Sequence, residues 1–390
     1  GDRFTSTGVN FIKAEAITLE GQIDESKFAY IDIETNEKLK RSQLKEGDVL
    51  FSMAGVLLGK TAVVDKTHLP ANTNQAVALI RLKTEIVNPY YLHYYFRQKN
   101  MFEYVNSITA QSAQPNINLF EIGEIEIPIP DITVQNKIAS TLLSIDSKIQ
   151  NYRQINRTLE NIAATIFQET FVSEIDNETL PARWEYKSIY DLGTFINGAA
   201  FKEKDFTKCA GALPVIKIVE LKSGITASTR RTGKTLDRKY RIKNGDILFS
   251  WSGSPETSID TYLWTRGDGW LNQHIFKVEA ASQAEKLFLF YLLKYFKPVF
   301  IGLAKNKQTT GLGHVTIDDL KRLKTAFPPE EVLSNFFDTV APIWNLYKNN
   351  LMSIEELLSL RESLLQKLYS LNSEATIYFQ NELLHEALFG

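Results

Sequence analysis

Two stretches of sequence decide the fold. They are ITVQNKIASTLLSIDSKIQNYRQINRTLENIAATIFQETF, residues 132–171, and EVLSNFFDTVAPIWNLYKNNLMSIEELLSLRESLLQKLYSL, residues 331–371. In both, apolar residues recur every three or four positions, which is the spacing that helices need to pack lengthwise in coiled-coil fashion. At about 1.5 Å per residue, each stretch is long enough for a rod of about 60 Å. The sequence therefore predicts two long helices that pair along their length and act as a spacer.

The predicted contact line between the helices is apolar with few interruptions. It slips once after Tyr152, and Arg361 interrupts it in the second stretch. Pro342 predicts either a short preceding helix or a kink near the start of that stretch. The residues expected to pair the helices are Leu142, Ile145, Ile149, Leu159, Ile162, Val340, Tyr347, Leu351, Ile354, Leu358 and Leu365.

The chain repeats itself at a constant offset. GDVLFS at 47–52 recurs as GDILFS at 245–250, and NQ at 74–75 recurs as NQ at 272–273, each 198 positions later. Ile117 and Val315, and Pro130 and Pro328, keep the same offset. So long a run of matches at one offset indicates a tandem duplication. The order is globule, helix, globule, helix.

Each globule is predicted to be strand-rich. Short apolar runs between turn residues, such as 11–13 and 215–217, indicate strands, and the aromatic segments 90–104 and 287–300 indicate helices packed on a sheet. We predict an α+β chain with a pseudo-two-fold repeat. Its parts are globules at 1–130 and 173–328, long-helix regions at 131–172 and 329–371, and a tail at 372–390.

The two copies differ before their first matched strand. The second copy has about thirty residues there, 181–211, whereas the first has barely eight. Two explanations are open. Either an N-terminal segment is missing from the first copy, or the tail at 372–390 takes its place beside the first globule.

The composition excludes several classes of protein. With 390 residues, of which 44% are hydrophobic, each globule can bury its own core. Cys209 is the single cysteine, which excludes an internal disulfide and a cysteine-based zinc site. No apolar run reaches membrane-spanning length, and no leader peptide opens the sequence. We therefore expect a soluble, cytoplasmic protein that does not bind membranes.

Motifs that resemble catalytic ones have simpler explanations. GVLLGKT at 55–61 is one residue short of a phosphate-binding loop and leads into a strand-like segment, so it predicts a hairpin. NPYY at 88–91 is similar to a methyltransferase motif but lacks its second proline, and it predicts a helix start. The five histidines show no metal-ligand spacing. We predict no catalytic residue, no cofactor and no metal, hence a non-enzymatic protein.

Basic residues cluster before the repeated Gly-Asp step in both copies. Arg and Lys neutralise phosphates, and Arg also contacts base edges, so matched clusters on a duplicated scaffold favour DNA binding over a merely solvated loop. Lys60, in the predicted hairpin, is placed near the DNA backbone. The predicted DNA-binding residues are Lys38, Lys40, Arg41, Lys45, Lys60, Arg230, Arg231, Lys234, Arg238, Lys239, Arg241 and Lys243.

The order of these pieces, given twice, resembles the specificity subunit of a Type I restriction–modification system. The resemblance rests on the repeated Gly-Asp strand, the repeated Asn-Gln pair, the proline-rich boundaries IPIP and FPP, and the helix opening QNKIA at 135–139. It covers about residues 8 to 371. One departure is Leu333, where the first long helix has Gln135.

The resemblance implies a mechanism. Each globule would be a target recognition domain that reads one half of a split site in double-stranded DNA. The long helices would pack antiparallel as a ruler between the halves. Two methyltransferase (modification) subunits would clamp the helices and recognition domains, and motor–nuclease (restriction) subunits would join them.

Another class of function remains open from the sequence alone. Tandem globules on a helical spacer also suit a non-enzymatic scaffold that binds proteins. Salt dependence discriminates the two, because phosphate-dominated binding weakens steeply as ionic strength rises.

Overall fold

The computed structural model describes residues 4–55, 57–108, 116–175, 179–226, 228–308, 312–370, 376–378 and 384–388. The chain divides into two compact units. Unit 1 comprises residues 1–149 and 357–390, and unit 2 comprises residues 150–356. Each unit therefore contains one globule and one part of each long helix.

The first half of the chain contains seven strands and six helices within these ranges. The strands are β1 Val9–Ile12, β2 Ala29–Ile31, β3 Val49–Ser52, β4 Thr61–Val63, β5 Ala71–Thr73, β6 Val77–Leu82 and β7 Glu126–Pro128. The helices are α1 Ile33–Lys38, α2 Pro89–Phe96, α3 Lys99–Ile108, α4 Leu119–Gly123, α5 Ile132–Phe167 and, after a π-helical segment Gln168–Val172, α6 Ser173–Ile175.

The second half and the tail repeat this order with additions. The strands are β8 Glu185–Ser188, β9 Thr194–Asn197, β10 Leu213–Ile216, β11 Arg231–Thr232, β12 Arg241–Ile242, β13 Ile247–Ser250, β14 Ser252–Gly253, β15 Asp260–Leu263, β16 Gly269–Leu271, β17 Ile275–Glu279, β18 Gly313–His314, β19 Lys324–Phe327, β20 Thr376–Tyr378 and β21 Leu384–Leu388. The helices are α7 Ile218–Ser223, α8 Pro255–Ser258, α9 Gln283–Tyr295, α10 Lys297–Asn306, α11 Ile317–Arg322 and α12 Glu330–Ser370. Short 3-10 turns span Ala14–Ala16, Glu25–Lys27, Lys40–Ser42, Lys66–His68, Ile189–Leu192, Glu203–Asp205 and Arg238–Tyr240.

The four-stranded sheets of the two units match strand for strand, and the smaller sheet of unit 2 has one strand more than that of unit 1. Unit 1 has a four-stranded sheet β21-β6-β3-β4, and unit 2 has its counterpart β9-β17-β13-β15. The smaller sheet is β2-β1-β5 in unit 1 and β11-β10-β16-β12 in unit 2. In both, the first strand pairs in parallel with the strand before the Asn-Gln turn, β1 with β5 and β10 with β16. The mixed α+β class and the duplication are confirmed.

The repeated Gly-Asp step has the same local cause in both units. Gly47 and Gly245 have φ of 84° and 97°, a left-handed backbone that favours glycine. The carboxylate of Asp48 then accepts the backbone N–H of Lys45 at 2.6 Å, as that of Asp246 accepts from residue 243 at 2.9 Å. This turn leads the chain into the buried central strands β3 and β13.

The tail completes the first globule. β20 pairs with β7, and β21 pairs with β6. In unit 2 the corresponding partners are β8 with β19 and β9 with β17. The strands of the tail thus occupy the places that 185–197 occupy in unit 2, which is one of the two explanations left open by the sequence.

The long helices pair antiparallel in each unit. In unit 1, Asp146 of α5 binds Arg361 of α12, and Leu142 shares a buried cluster with Leu365, farther along α12. In unit 2, Asn156 of α5 binds Asn350 of α12, while Phe167, farther along α5, contacts Phe336 at 6.1 Å. Residue numbers rise along one helix as they fall along the other, so the antiparallel arrangement implied by the resemblance is confirmed.

The proline in the second long helix does not divide it. α12 runs from Glu330 to Ser370 as one helix with Pro342 inside it, so no separate short helix precedes it. Among the other predicted segments, the hairpin after β3 and the helix that begins after Asn88 are both present.

Most of the residues expected to pair the helices are removed from solvent. One prediction is wrong: Ile162 is 44% exposed and lies outside the buried seam, which passes instead through Asn156, Ala163 and Phe167. The slip after Tyr152 shifts the buried face by one position, and Ile162 turns outward. Leu142, Ile145, Ile149, Val340, Ile354 and Leu365 are buried, and Leu159, Tyr347, Leu351 and Leu358 are half-buried.

Candidate nucleic-acid interface

Unit 1 contains a cleft of about 750 Å³ that brings together charged, amide and apolar side chains. Lys38, Lys40 and Arg41 line it beside Asn74 and Gln75 of the repeated Asn-Gln turn. The remaining lining residues are Phe4, Phe11, Ile31, Leu39, Ser42, Met53, Thr73, Val77, Ala78, Leu79 and Leu119. Basic side chains contact DNA phosphates, an amide contacts base edges, and apolar side chains contact thymine methyl groups, so this cleft contains the groups that bind a DNA groove.

The Asn-Gln turn explains why an amide is presented here. Asn74 starts the turn into β6: its side-chain oxygen accepts the N–H of Ala76 at 3.3 Å, and its carbonyl accepts that of Val77 at 3.0 Å. Gln75 is thereby left at the exposed tip of the turn. In unit 2, Asn272 makes the same carbonyl contact with the N–H of Ile275 at 3.1 Å.

The matched position in unit 2 carries aromatic and histidine side chains. The Trp251 ring centroid lies 5.8 Å from that of His274 and 6.5 Å from that of His314. Its indole N–H donates to the Asn197 side chain at 3.2 Å, and Gln273 lies within 3.2 Å of the His274 ring. We name Trp251, Gln273, His274 and His314 the aromatic–amide cluster.

A cation lies over an aromatic ring beside the first strand of both small sheets. In unit 1 the Lys13 ammonium is 5.5 Å from the centroid of Phe4. In unit 2 the Lys217 ammonium is 5.2 Å, and the Arg230 guanidinium 4.8 Å, from the centroid of Phe206. The repeat thus preserves a charge held against a flat apolar surface.

The predicted basic residues of unit 1 fall at the cleft and its edge. Lys38 and Lys40 are 71% and 74% exposed and pair with Glu34 and Glu37 on the same short helix. Arg41 and Lys45 are exposed, and their side chains have no ion-pair or hydrogen-bond partner among the described residues. Exposed pairs of this kind are weak and release the lysines to phosphates at little cost.

In unit 2 the basic residues spread along both edge strands of the small sheet. Arg231 lies on β11 and Arg241 on β12, with β10 and β16 between them. Four have acidic neighbours: Arg230 binds Glu203, Lys234 lies 3.7 Å from Asp205, Lys239 lies 3.8 Å from Asp237, and Arg241 lies 2.6 Å from Asp268. Arg231 donates to the Ala212 carbonyl. The side chains of Arg238 and Lys243 are exposed, and within the described ranges they form no hydrogen bond or ion pair.

Lys60 has a different role from the one predicted. Its ammonium donates to the carbonyl oxygens of Ala14 at 2.8 Å and Ile17 at 2.6 Å. Burial lowers the pKa of this half-buried lysine. It therefore ties the loop after β1 to the hairpin, and two of its three N–H donors are already used.

The aromatic–amide cluster was not predicted from the sequence, although one feature of the sequence pointed to it. Trp251 and His274 stand 198 positions after Met53 and Ala76, directly beyond the repeated strand and within the repeated turn. Positions that follow shared turns but differ in chemistry are candidates for different specificity on one scaffold.

The described residues contain no group of three or more metal-ligating side chains close enough to hold an ion. No single described helix is long and apolar enough to cross a membrane, and α9 with α10 reaches that length and composition only as a pair bent by 52°.

Comparison with known proteins places the chain in a family. The family model for the Type I restriction modification DNA specificity domain matches residues 5–161 and again 181–341. The MjaIX specificity subunit of a Type I restriction enzyme from Methanocaldococcus jannaschii is 26% identical over 372 residues, covering 88% of this chain and 84% of that protein. The EcoBI specificity subunit from Escherichia coli is 23% identical over 201 residues, covering 50% and 41%.

A solved structure shows the same fold. The S subunit of a Type-I restriction-modification system from M. genitalium has a TM-score of 0.53 at 15% identity, covering 94% of this chain and 93% of that one. The two matched ranges, each of which includes the start of a long helix, agree with the duplication found in the sequence and in the sheets. The chain belongs to the family of Type I restriction–modification DNA specificity subunits, the components that recognise DNA sequence.

Proposed function

We propose that each globule reads one half of a split DNA site, globule 1 through the cleft in unit 1 and globule 2 through the aromatic–amide cluster in unit 2. The observation that carries this proposal is the repeated turn, which presents a glutamine at position 75 and again at 273 beside different neighbours. One scaffold with two different reading surfaces suits a site whose halves differ in sequence.

The chemistry of reading differs between the globules. In globule 1, Gln75 offers a donor and an acceptor to a base edge, with Lys40 and Arg41 on the phosphates beside it. In globule 2, Gln273 and the two histidine rings offer polar contacts, and Trp251 offers an apolar face for a thymine methyl group or a base. Phosphate contacts hold the register, and the amides select the bases.

Matched glutamine variants test the assignment. Gln75→Ala is expected to relax discrimination in the first half-site only, and Gln273→Ala in the second only, each by about 1–3 kcal/mol. Gln154→Ala, an exposed glutamine on α5, serves as the control. The measurement is competition binding by the chain with its modification subunits to DNA libraries randomised in one half-site at a time.

The result would go against the proposal if both variants relaxed the same half-site, or if neither differed from the control. Lys40→Ala with Arg41→Ala should instead weaken binding to all sequences alike. It should also reduce the slope of log binding constant against log salt concentration by about two, because two fewer phosphates are neutralised.

We also propose that the chain itself catalyses nothing and that two modification subunits, which methylate DNA, bind at equivalent places on the long helices. Ile162 and Leu360 support this stoichiometry. They stand 198 positions apart and are 44% and 48% exposed. Of the large apolar side chains that the long helices expose, which also include Val134, Ile155 and Leu346, these two occupy the same point of the repeat. Two identical partners can dock on a duplicated chain in equivalent ways. Restriction subunits would join this assembly.

Charge substitutions test the docking points. Ile162→Asp and Leu360→Asp should each convert a complex of two modification subunits per chain into one with a single subunit, and the double variant should abolish the complex. Asn161→Asp and Ser359→Asp place the same charge at neighbouring exposed positions as controls. Native mass spectrometry gives the stoichiometry, and two bound subunits in the double variant would exclude these docking points.

A further inference from the structure

Two buried polar pairs join the otherwise apolar long helices. In unit 2, Asn350 donates to the side-chain oxygen of Asn156 at 2.9 Å, and Asn156 donates to the Tyr347 carbonyl at 3.3 Å. Both asparagines are 5% exposed. In unit 1, Arg361 donates to Asp146 at 2.8 Å from a side chain that is 12% exposed.

The ion pair belongs to a larger hydrogen-bonded network in unit 1. The second oxygen of Asp146 accepts from the Tyr94 hydroxyl at 2.8 Å and from Arg97 at 3.0 Å. The pKa of Asp146 is lowered because Arg97 and Arg361 together outweigh the opposing effect of burial. The carboxylate therefore stays ionised between two cations.

The internal repeat shows what these positions are in the other copy. Moving by 198 residues takes Asn156 to Ile354 and Asn350 to Tyr152. The same step takes Asp146 to Trp344 and Arg361 to Ala163. Trp344 packs on Phe290 at 4.7 Å in the aromatic core of unit 2, and Ala163 is fully buried there. Each polar residue thus has an apolar or aromatic counterpart, and neither polar pair is repeated.

This asymmetry matters because the helices are copies of one another. By the repeat, α5 could pair antiparallel with α5 of a second copy of this chain in the same geometry. Asn156 would then face Tyr152, and Asp146 would face Ala163. Two α12 helices paired in this way would set Asn350 against Ile354 and Arg361 against Trp344.

The polar pairs also distinguish the observed register of α5 and α12 from shifted ones. A slide of seven residues keeps the apolar faces in phase, but it sets Asn156 against Ile343 or Leu357 instead of Asn350. A buried amide or charge without a partner destabilises the helix pair, and the apolar contacts of the seam do not compensate for this loss. A single buried asparagine pair is enough to fix register and partner in coiled coils.

We propose that the pairs Asn156–Asn350 and Asp146–Arg361 select α12 as the partner of α5, in one register, and exclude pairing of α5 with α5, or of α12 with α12, between two copies of this chain. The apolar residues supply the stability of the seam, and the polar pairs supply its specificity. This proposal does not depend on which DNA bases are read.

The test uses the full-length chain with Asn156→Leu and Asn350→Leu together. Because both partners are removed at once, no buried amide is orphaned, and resistance to urea should equal or exceed that of the native chain. The single variant Asn156→Leu, which orphans Asn350, should unfold at lower urea. A lower midpoint for the double variant than for the single one would overturn the assignment of the pair to specificity.

The decisive readout is self-association measured by light scattering over about a hundredfold range of chain concentration, because association follows mass action. The native chain should stay monomeric, and the double variant should form dimers at least about tenfold more tightly than the control. That control, Asn151→Leu with Asn345→Leu, adds the same two leucines at exposed positions of the same helices. A double variant that stays monomeric, or dimerises no more than the control, would overturn the proposal.

A second variant covers a failure of the leucine pair to fold. Asn156→Ile with Asn350→Tyr copies the residues that the repeat already places at 354 and 152, so the seam becomes symmetric at this point. It too should dimerise above the control, and a monomer would contradict the proposal.

Discussion

At the scale of single residues, the most constrained group is His93 in unit 1. It is 4% exposed, its ring lies 3.0 Å from the Thr61 hydroxyl, and Arg97 lies 3.5 Å away on its other side. Burial, and secondarily the charge of Arg97, hold its pKa well below the usual 6.5. The folded protein therefore keeps this imidazole neutral at pH values where the unfolded chain protonates it.

That depressed pKa predicts how stability depends on pH. Above 6.5 the contribution of His93 is complete, and as pH falls below 6.5 the unfolded chain binds a proton that the folded chain does not, so stability declines. The slope from this one group is at most about 1.4 kcal/mol per pH unit. The melting temperature should fall less steeply for His93→Gln than for the native chain as the pH is lowered from neutral to mildly acidic. The control Gln154→Ala, at an exposed position of α5 that does not titrate, should keep the native slope. Equal slopes for all three proteins would contradict this explanation.

Single residues also show what the sequence could and could not predict. The basic clusters were visible because charge near a repeated turn is a local pattern. Lys60 was misjudged because its partners, the carbonyls of Ala14 and Ile17, come from a loop more than forty positions away. The Asp146 network was likewise hidden, since Arg97, Asp146 and Arg361 meet only once the long helices have paired.

At the scale of elements, the long helices are proposed to be a ruler between the half-sites. Deleting 147–153 from α5 and 353–359 from α12 removes one heptad from each and leaves both polar pairs in place. Seven residues at about 1.5 Å each shorten a helix by about 10 Å, which corresponds to about three base pairs of DNA. The preferred gap in the methylated site should shrink by that amount.

The bases read in each half should not change in this deletion variant. Replacing the same heptads by other seam-compatible heptads is the matched control and should leave the gap alone. An unaltered gap after deletion would refute the ruler.

Element prediction succeeded where the signal was periodic and failed where it was long-range. The two long helices were predictable because an apolar contact every three or four residues is written in the sequence itself. Ile162 was misplaced because the slip after Tyr152 moves the face by a single position. The strands of the tail could not be assigned, since β21 pairs with β6, which is about three hundred positions earlier.

At the scale of the whole molecule, the main feature is the duplication of one fold. One fold repeated in the chain would supply the two reading surfaces and the two equivalent docking points that we propose. Two departures from this symmetry bear on the proposals made above. Unit 1 has the cleft where unit 2 has the aromatic–amide cluster. The polar residues of the helix seam have apolar or aromatic residues at the equivalent positions of the other copy.

We propose that this chain confers a two-part DNA specificity on partner methyltransferases. The most direct measurement is to map methylated bases across the genome in cells with and without the chain. The account predicts a methylated motif of two short specified halves separated by unspecified bases, present only when the chain is present. A contiguous motif, or a methylation pattern that does not change when the chain is removed, would contradict it.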